Sequence, residues 1–360
     1  MGDARVGNLA RILTQYSIVV KSGMTVTIAA PSAAEALVAA CYEELIKLGC
    51  YPVVNMAPAG LTEILFQHGQ PHHFDRVTKF QRAAVKLADA SIRIMAETNT
   101  RGLSKADPKK QAALSMATRP LSNIMLSKSW VLTLFPTAAY AQDAEMSLRD
   151  FEDFVYAATF ATEDDPVKAW EAIRIGQDRL IKKLKGADEI HIVGPGTDLK
   201  LSVKGRTFIN SAGTHNMPSG EIFTGPIEDS AEGVVQYDFP VCNAGREIDG
   251  IRLVFRKGLV VEASATKNEA FLKAMLDMDP GARRLGELGI GTNRNIQRFI
   301  KNILFDEKIG GTIHLALGKS YPETGGVNKS GLHWDMIKDL RKDGAIYVDG
   351  TLFEKNGKFV

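Results

Sequence analysis

Seven histidines are spread over 360 residues, and two of them stand near carboxylates toward the C-terminal end, in Ile313-His314-Leu315 and Gly331-Leu332-His333-Trp334-Asp335. In an extended chain residues i and i+2 project to the same side, so the His333 imidazole and the Asp335 carboxylate can converge on one cation. Two glutamates lie in glycine- and proline-rich contexts unsuited to a regular surface helix: Met217-Pro218-Ser219-Gly220-Glu221-Ile222-Phe223 and Leu285-Gly286-Glu287-Leu288-Gly289. Each is flanked by apolar residues, and a buried carboxylate requires a partner, of which a metal ion is one kind. Asp306-Glu307 precedes His314, and Tyr321 adds a phenol seven residues after that histidine. Together Glu221, Glu287, Glu307, His314, His333 and Asp335 would suit two hard or borderline divalent ions. Separate hydrogen-bonded polar residues at turns would give the same pattern, and residue types alone leave both readings open.

Other chemistries are poorly supported. The three cysteines, Cys41, Cys50 and Cys242, are an odd number at no metal-finger spacing, which predicts buried thiols in a reducing, cytoplasmic setting rather than a disulfide framework. No strand–GxGxxG–helix or Walker-type loop occurs; Gly194-Pro195-Gly196-Thr197 follows a strand signal but lacks the third glycine and the helix. Lys and Arg number 44 against 42 Asp and Glu, and this near balance gives no footing for nucleic-acid binding. The N-terminus runs into an amphipathic segment rather than a signal peptide, and the most apolar window, Trp130 to Ala141, is too short to span a bilayer. Among the remaining histidines, His72-His73 reads as a turn pair, His191 as a solvent-side strand residue, and His215 as a group able to orient a ligand from behind.

The elements that must position these groups fall into two textures. Met24 to Ala29 is a β-branched run. It is followed by Pro31 and by Ser32-Ala33-Ala34-Glu35, a capping box opening a helix that stops at Gly49; Val53-Val54-Asn55 then resumes a strand. A strand–helix–strand unit implies parallel pairing through a helical crossover. Ser91 to Met95 and Trp130 to Phe135 read as further buried strands, with a helix between them starting at Asp107-Pro108. A helix from Val167 to Leu184 marks the domain boundary, after which short β-rich runs recur with glycine turns, including the hairpin Ile251–Phe255 and Leu259–Ala263. The predicted fold is α/β: an open N-terminal α/β layer with parallel strands over residues 1–165, and a β-rich α+β catalytic domain over residues 166–360.

The fragments Asn216-Met-Pro-Ser-Gly-Glu221-Ile-Phe, Gly286-Glu287, Asp306-Glu307, Gly311-Thr-Ile-His314-Leu-Ala-Leu-Gly318, Tyr321, Gly325-Gly-Val-Asn328 and His333-Trp-Asp335 resemble, in order, the motifs of the aminopeptidase T / aminopeptidase S family of metallopeptidases. Tyr16 to Gly23, Trp130 to Ala141 and Asp165 to Trp170 are similar to family stretches as well, so the resemblance covers nearly the whole chain. It implies a homodimer that removes N-terminal residues from peptides, with Glu221, Glu287, Glu307, His314, His333 and Asp335 holding two divalent ions (Zn, Co, Mn or Mg). By the same resemblance Tyr321 is the nearby catalytic phenol; in a two-metal mechanism Glu287 is expected as a shared or bridging ligand and Tyr321 as the donor to the tetrahedral oxyanion. The chain departs from the family pattern at Gly220, where many members carry a second acidic residue, and in the shorter interval from His314 to His333. Ring-cleaving dihydroxypyridine dioxygenases resemble the same family, so one Fe(II) on His314, His333 and Asp335 is the alternative; the retained Glu221, Glu287 and Tyr321 speak against it. A binding protein that kept the fold without turnover is a third reading.

Overall fold

The β-branched run at Thr25 forms the strand Thr25–Pro31, and its alternating burial shows one face packed and one less covered. A computed structural model describes residues 3–243 and 246–360. The chain divides into two compact units, Met1–Glu171 with Gly213–Pro218, and Ala172–Ala212 with Ser219–Val360.

In the first unit Thr25–Pro31 lies between Tyr51–Ala57 and Ala90–Met95, and Ser129–Leu134 and the short Asn216–Met217 continue the sheet on the Ala90–Met95 side. Every pairing is parallel, as the crossover argument requires. The helix Pro108–Leu126 starts as expected: Asp107 accepts from the Lys109 N–H at 2.8 Å, and Pro108 occupies a first-turn position whose N–H has no intrahelical partner. The helix after Pro31 differs from the expectation. Ser32–Ala34 makes a 3-10 turn before the α-helix Glu35–Lys47, and no side chain caps it. Cys41 and Cys50 are buried free thiols, whereas the side chain of Cys242, like Met1 and Gly2, lies outside the described residues. No helix among the described residues is long and apolar enough to cross a membrane.

The second unit is built on antiparallel sheets. One has eight strands, from Leu259–Ser264 at one edge to Lys358–Phe359 at the other, and includes the expected hairpin with Arg256 opposite Leu259. Another has five, in the order His333–Asp339, Thr312–Gly318, Leu285–Gly291, Glu221–Thr224, Ile209–Ser211. A single apolar core joins them: Ile190, Leu199 and Leu253 from the larger sheet pack in one cluster with Ile222, Leu288, Ile313, Leu315 and Met336 from the smaller. The expected combination of a parallel α/β layer and a β-rich α+β part is thus found. The period of two then settles the other face of the five-stranded sheet. With Ile222, Leu288, Leu315 and Met336 committed to the core, Glu221, Glu287, His314 and Asp335 must point the opposite way.

Candidate metal centre

Four adjacent strands deliver five of the six proposed ligands to that face. Their register places Asp335 opposite Ala316, and Ala316 opposite Glu287 on the next strand. His314 stands opposite Gly289, and Glu221 opposite Gly291. A methyl group at Gly289 would lie 1.9 Å from the His314 ring, so the absence of a side chain there makes room for the imidazole. Glu307 arrives from outside the sheet, at the end of the short helix Ile303–Asp306.

Both imidazoles are oriented by their Nδ1 atoms. His314 Nδ1 lies 3.1 Å from the Glu307 carbonyl and His333 Nδ1 lies 2.9 Å from the Lys319 carbonyl. A carbonyl only accepts, so Nδ1 carries the proton and donates it, leaving Nε2 turned to the carboxylates. His314 Nε2 is 3.2 Å from Glu287 Oε1 and 3.7 Å from Glu221 Oε2; His333 Nε2 is 3.5 Å from Glu287 Oε2 and 3.6 Å from Asp335 Oδ2. Two sets of donor atoms lie within 4.8 Å of one another, Glu287–His333–Asp335 and Glu307–His314–Asp335. Asp335 belongs to both.

The electrostatics call for a cation. Burial raises the Glu221 and Glu287 carboxyls above their ordinary range. Burial, reinforced by the Glu307 charge, pushes Asp335 up to about 6. Against its own burial, His314 is pushed up to about 10 by Glu287 and Glu221. Glu221 Oε2 is buried without a hydrogen-bond partner. Protons can offset this density of negative charge only in part, whereas divalent ions between carboxylate oxygens and imidazole nitrogens satisfy it directly. The donor set therefore fits divalent metal.

Tyr321 closes one side, its ring edge-on to His333 at 5.1 Å and to Phe223 at 5.8 Å between centroids. Burial, with the charges of Glu287 and Asp335, raises its phenol, which therefore stays protonated and serves as a donor. Beside His333 and Asp335 opens a cleft of about 360 Å³ whose walls include Phe239, Pro240, Phe299 and Ile303. The Phe239 and Phe299 rings stack at 4.9 Å.

Two neighbours of the expected residues differ from the sequence reading. Asp306 turns away from the cluster: its carboxylate accepts from the Ile300 and Asn302 N–H groups at 2.8 and 2.7 Å and ties down the loop before the helix. Lys308, to which no local sequence motif points, has a fully buried side chain whose ammonium bonds Glu307 Oε1 and lies 3.5 Å from Glu221 Oε1. Gly220, the family departure, has φ +113°, and a Cβ there would meet Asn293 at 2.7 Å, so this chain leaves no room for a second acidic side chain. Elsewhere, His215 packs edge-on to Trp130, His73 Nδ1 accepts from the Gln70 N–H, and His191 pairs with Asp198 at 2.7 Å.

A carboxylate-rich, imidazole-bearing cluster on the buried ionic face of an antiparallel sheet has the donor set of a divalent-metal enzyme site. The chain belongs to the thermophilic metalloprotease (M29) family, whose model matches residues 3–359. It is 30% identical to aminopeptidase 2 of Geobacillus stearothermophilus over 95% of this chain and 94% of that one. It is 31% identical to aminopeptidase T of Thermus thermophilus over 62% of this chain and 60% of that one. The solved structure of wild-type AmpT from Thermus thermophilus shares the fold with a TM-score of 0.87 over 99% of both chains at 24% identity. A 2,5-dihydroxypyridine dioxygenase from Pseudomonas putida KT2440 shares it more distantly, with a TM-score of 0.61 at 17% identity over 100% of this chain and 98% of that one. The expected family, and with it a metallopeptidase that hydrolyses peptides, is met.

Proposed function

We propose that the protein is a two-metal aminopeptidase that removes N-terminal residues from peptides, with its chemistry in the C-terminal domain. One observation carries this reading: two triads, Glu287–His333–Asp335 and Glu307–His314–Asp335, share a carboxylate and draw on both oriented histidines. Asp335 and Glu287 are the shared groups; the Glu287 carboxylate reaches both imidazoles, one oxygen to each. Glu221 completes the His314 side. Divalent ions held there, Zn, Co, Mn or Mg, would supply water activation and polarisation of the scissile carbonyl.

The protein's own groups do the remainder. Tyr321 donates from its protonated phenol to the developing oxyanion, in surroundings dry enough for that bond to count. The substrate lies against the cleft beside His333, whose apolar walls exclude water from the reacting bond and receive apolar side chains. One of these ions would accept the neutral α-amine of a substrate's first residue, which would account for exopeptidase action. A homodimer working in the cytoplasm completes the reading.

Element analysis of anaerobically purified protein, paired with hydrolysis of leucine anilide and of its N-acetylated form, tests this. Two divalent ions per chain and cleavage of the free-amine substrate alone are expected. One iron per chain with oxygen uptake on a dihydroxypyridine would replace the reading with the dioxygenase alternative.

A further inference from the structure

Lys308 is a lysine with no exposed surface, and a charge so placed needs partners. Both of its carboxylate partners, Glu307 Oε1 and Glu221 Oε1 at 3.5 Å, sit on the His314 side of the centre. Its backbone is pinned there, its carbonyl accepting from the Asn293 N–H at 3.1 Å while Ile309 bridges Asn293. With no exposure and an ammonium enclosed by carboxylates, Lys308 cannot touch a substrate. It is a positioning residue.

Its consequence lies in charge. Four carboxylates and one ammonium leave the centre at minus three when both histidines are neutral, so one divalent ion falls short of neutrality and a second overshoots it. The ammonium engages a ligand of one triad, Glu307, and none of the ligands specific to the other. Resting on the two-metal reading above, we infer that Lys308 is a resident cation that makes the two ion positions unequal. The Glu287–His333–Asp335 position holds its ion tightly. The Glu307–His314–Asp335 position, where an ion must share Glu307 and Glu221 with a fixed like charge, holds it weakly and exchanges it. In the metal-free protein the same ammonium keeps Glu221 and Glu307 in place against their mutual repulsion.

The test titrates metal-free full-length protein with Zn(II), its free concentration set by a competing chelator. The wild type is expected to load in two steps. Lys308→Met should tighten the weaker step by about ten-fold or more and move the stronger by clearly less, because the ammonium lies against the ligands of one position and farther from the other. Lys308→Arg, which retains the charge, should retain the gap. An unchanged gap in Lys308→Met, or both steps moving together, would overturn the inference. Should that variant be too unstable to titrate, melting decides. Its metal-induced rise in Tm must exceed that of the wild type, whereas equal destabilisation of the metal-free and loaded forms would mark a packing role and overturn the inference. Uptake of fewer than two ions by the wild type would instead sink the two-metal reading itself.

Discussion

Glu354 offers a direct measurement of what an unpaired buried carboxyl costs this fold. It lies in the strand Thr351–Lys355 with no exposed surface, and neither oxygen has a hydrogen-bond partner. Burial pushes it up to about 7, with Arg294 pulling weakly the other way, against an ordinary value of 4.5. A carboxyl whose native pKa is raised destabilises the fold as pH climbs. The penalty is absent below 4.5, grows between 4.5 and 7, and is complete above 7, where it amounts to about 3 kcal/mol. Replacement by glutamine keeps the shape and removes the charge. Glu354→Gln should therefore be more stable than the wild type at pH 8 by about 2–3 kcal/mol beyond any difference seen at pH 5. Urea unfolding at the two pH values reads this, and Trp334, the sole tryptophan of the second unit, reports locally on that unit. A stability difference that is the same at pH 5 and pH 8 would refute the reasoning, because a packing change has no cause to vary with pH.

The centre yields further expectations. Gly289→Ala would drive a methyl into the His314 ring, so metal content should fall and turnover drop by about 100-fold or more while the far-ultraviolet dichroism of the fold is retained. Tyr321→Phe should lower kcat by about 100-fold with KM and metal content unchanged; full kcat would remove the phenol from the mechanism. Because Asp335 must shed a proton to bind metal, affinity should fall as pH drops through about 6. His314, pushed up to about 10, should release a proton on loading at pH 7.5, visible as a calorimetric heat that changes with buffer ionisation enthalpy. Phe299→Ala opens the ring stack beside His333 and should raise KM for bulky apolar N-terminal residues by about 3–10-fold with little effect on alanine substrates.

Much of the architecture is legible because it rests on local rules. The alternation of Ile313, Leu315 and Leu317 with His314 and Ala316 fixes which groups leave the core, and His333-x-Asp335 needs only an extended chain to align. The strand–helix–strand order before Asn55 fixes parallel pairing. What stays hidden depends on non-local register. Nothing near Gly289 announces that it faces His314 across a strand pair. Asp306 and Glu307 are adjacent acids, yet one clasps a loop and the other enters the centre, a difference set by the turn that ends a four-residue helix. Lys308 carries the sequence signal of a solvated turn residue, and only the return of the chain past Asn293 buries it. The missing cap at Ser32 is of the same kind: the box is present, but a 3-10 turn takes the chain into the helix by another route.

The five-stranded sheet has an ionic face and an apolar face, and the two cannot be altered separately. A slip of one residue in any of its central strands would send a proposed ligand into the core and bring an apolar side chain out toward the ionic cluster. The protein therefore carries its own gauge of correct assembly. On the proposed two-metal reading, a chain that loaded both ions would have four strands in native alignment, and misregistered or partly folded molecules in a preparation would be counted by their metal deficit before any loss of secondary structure betrayed them.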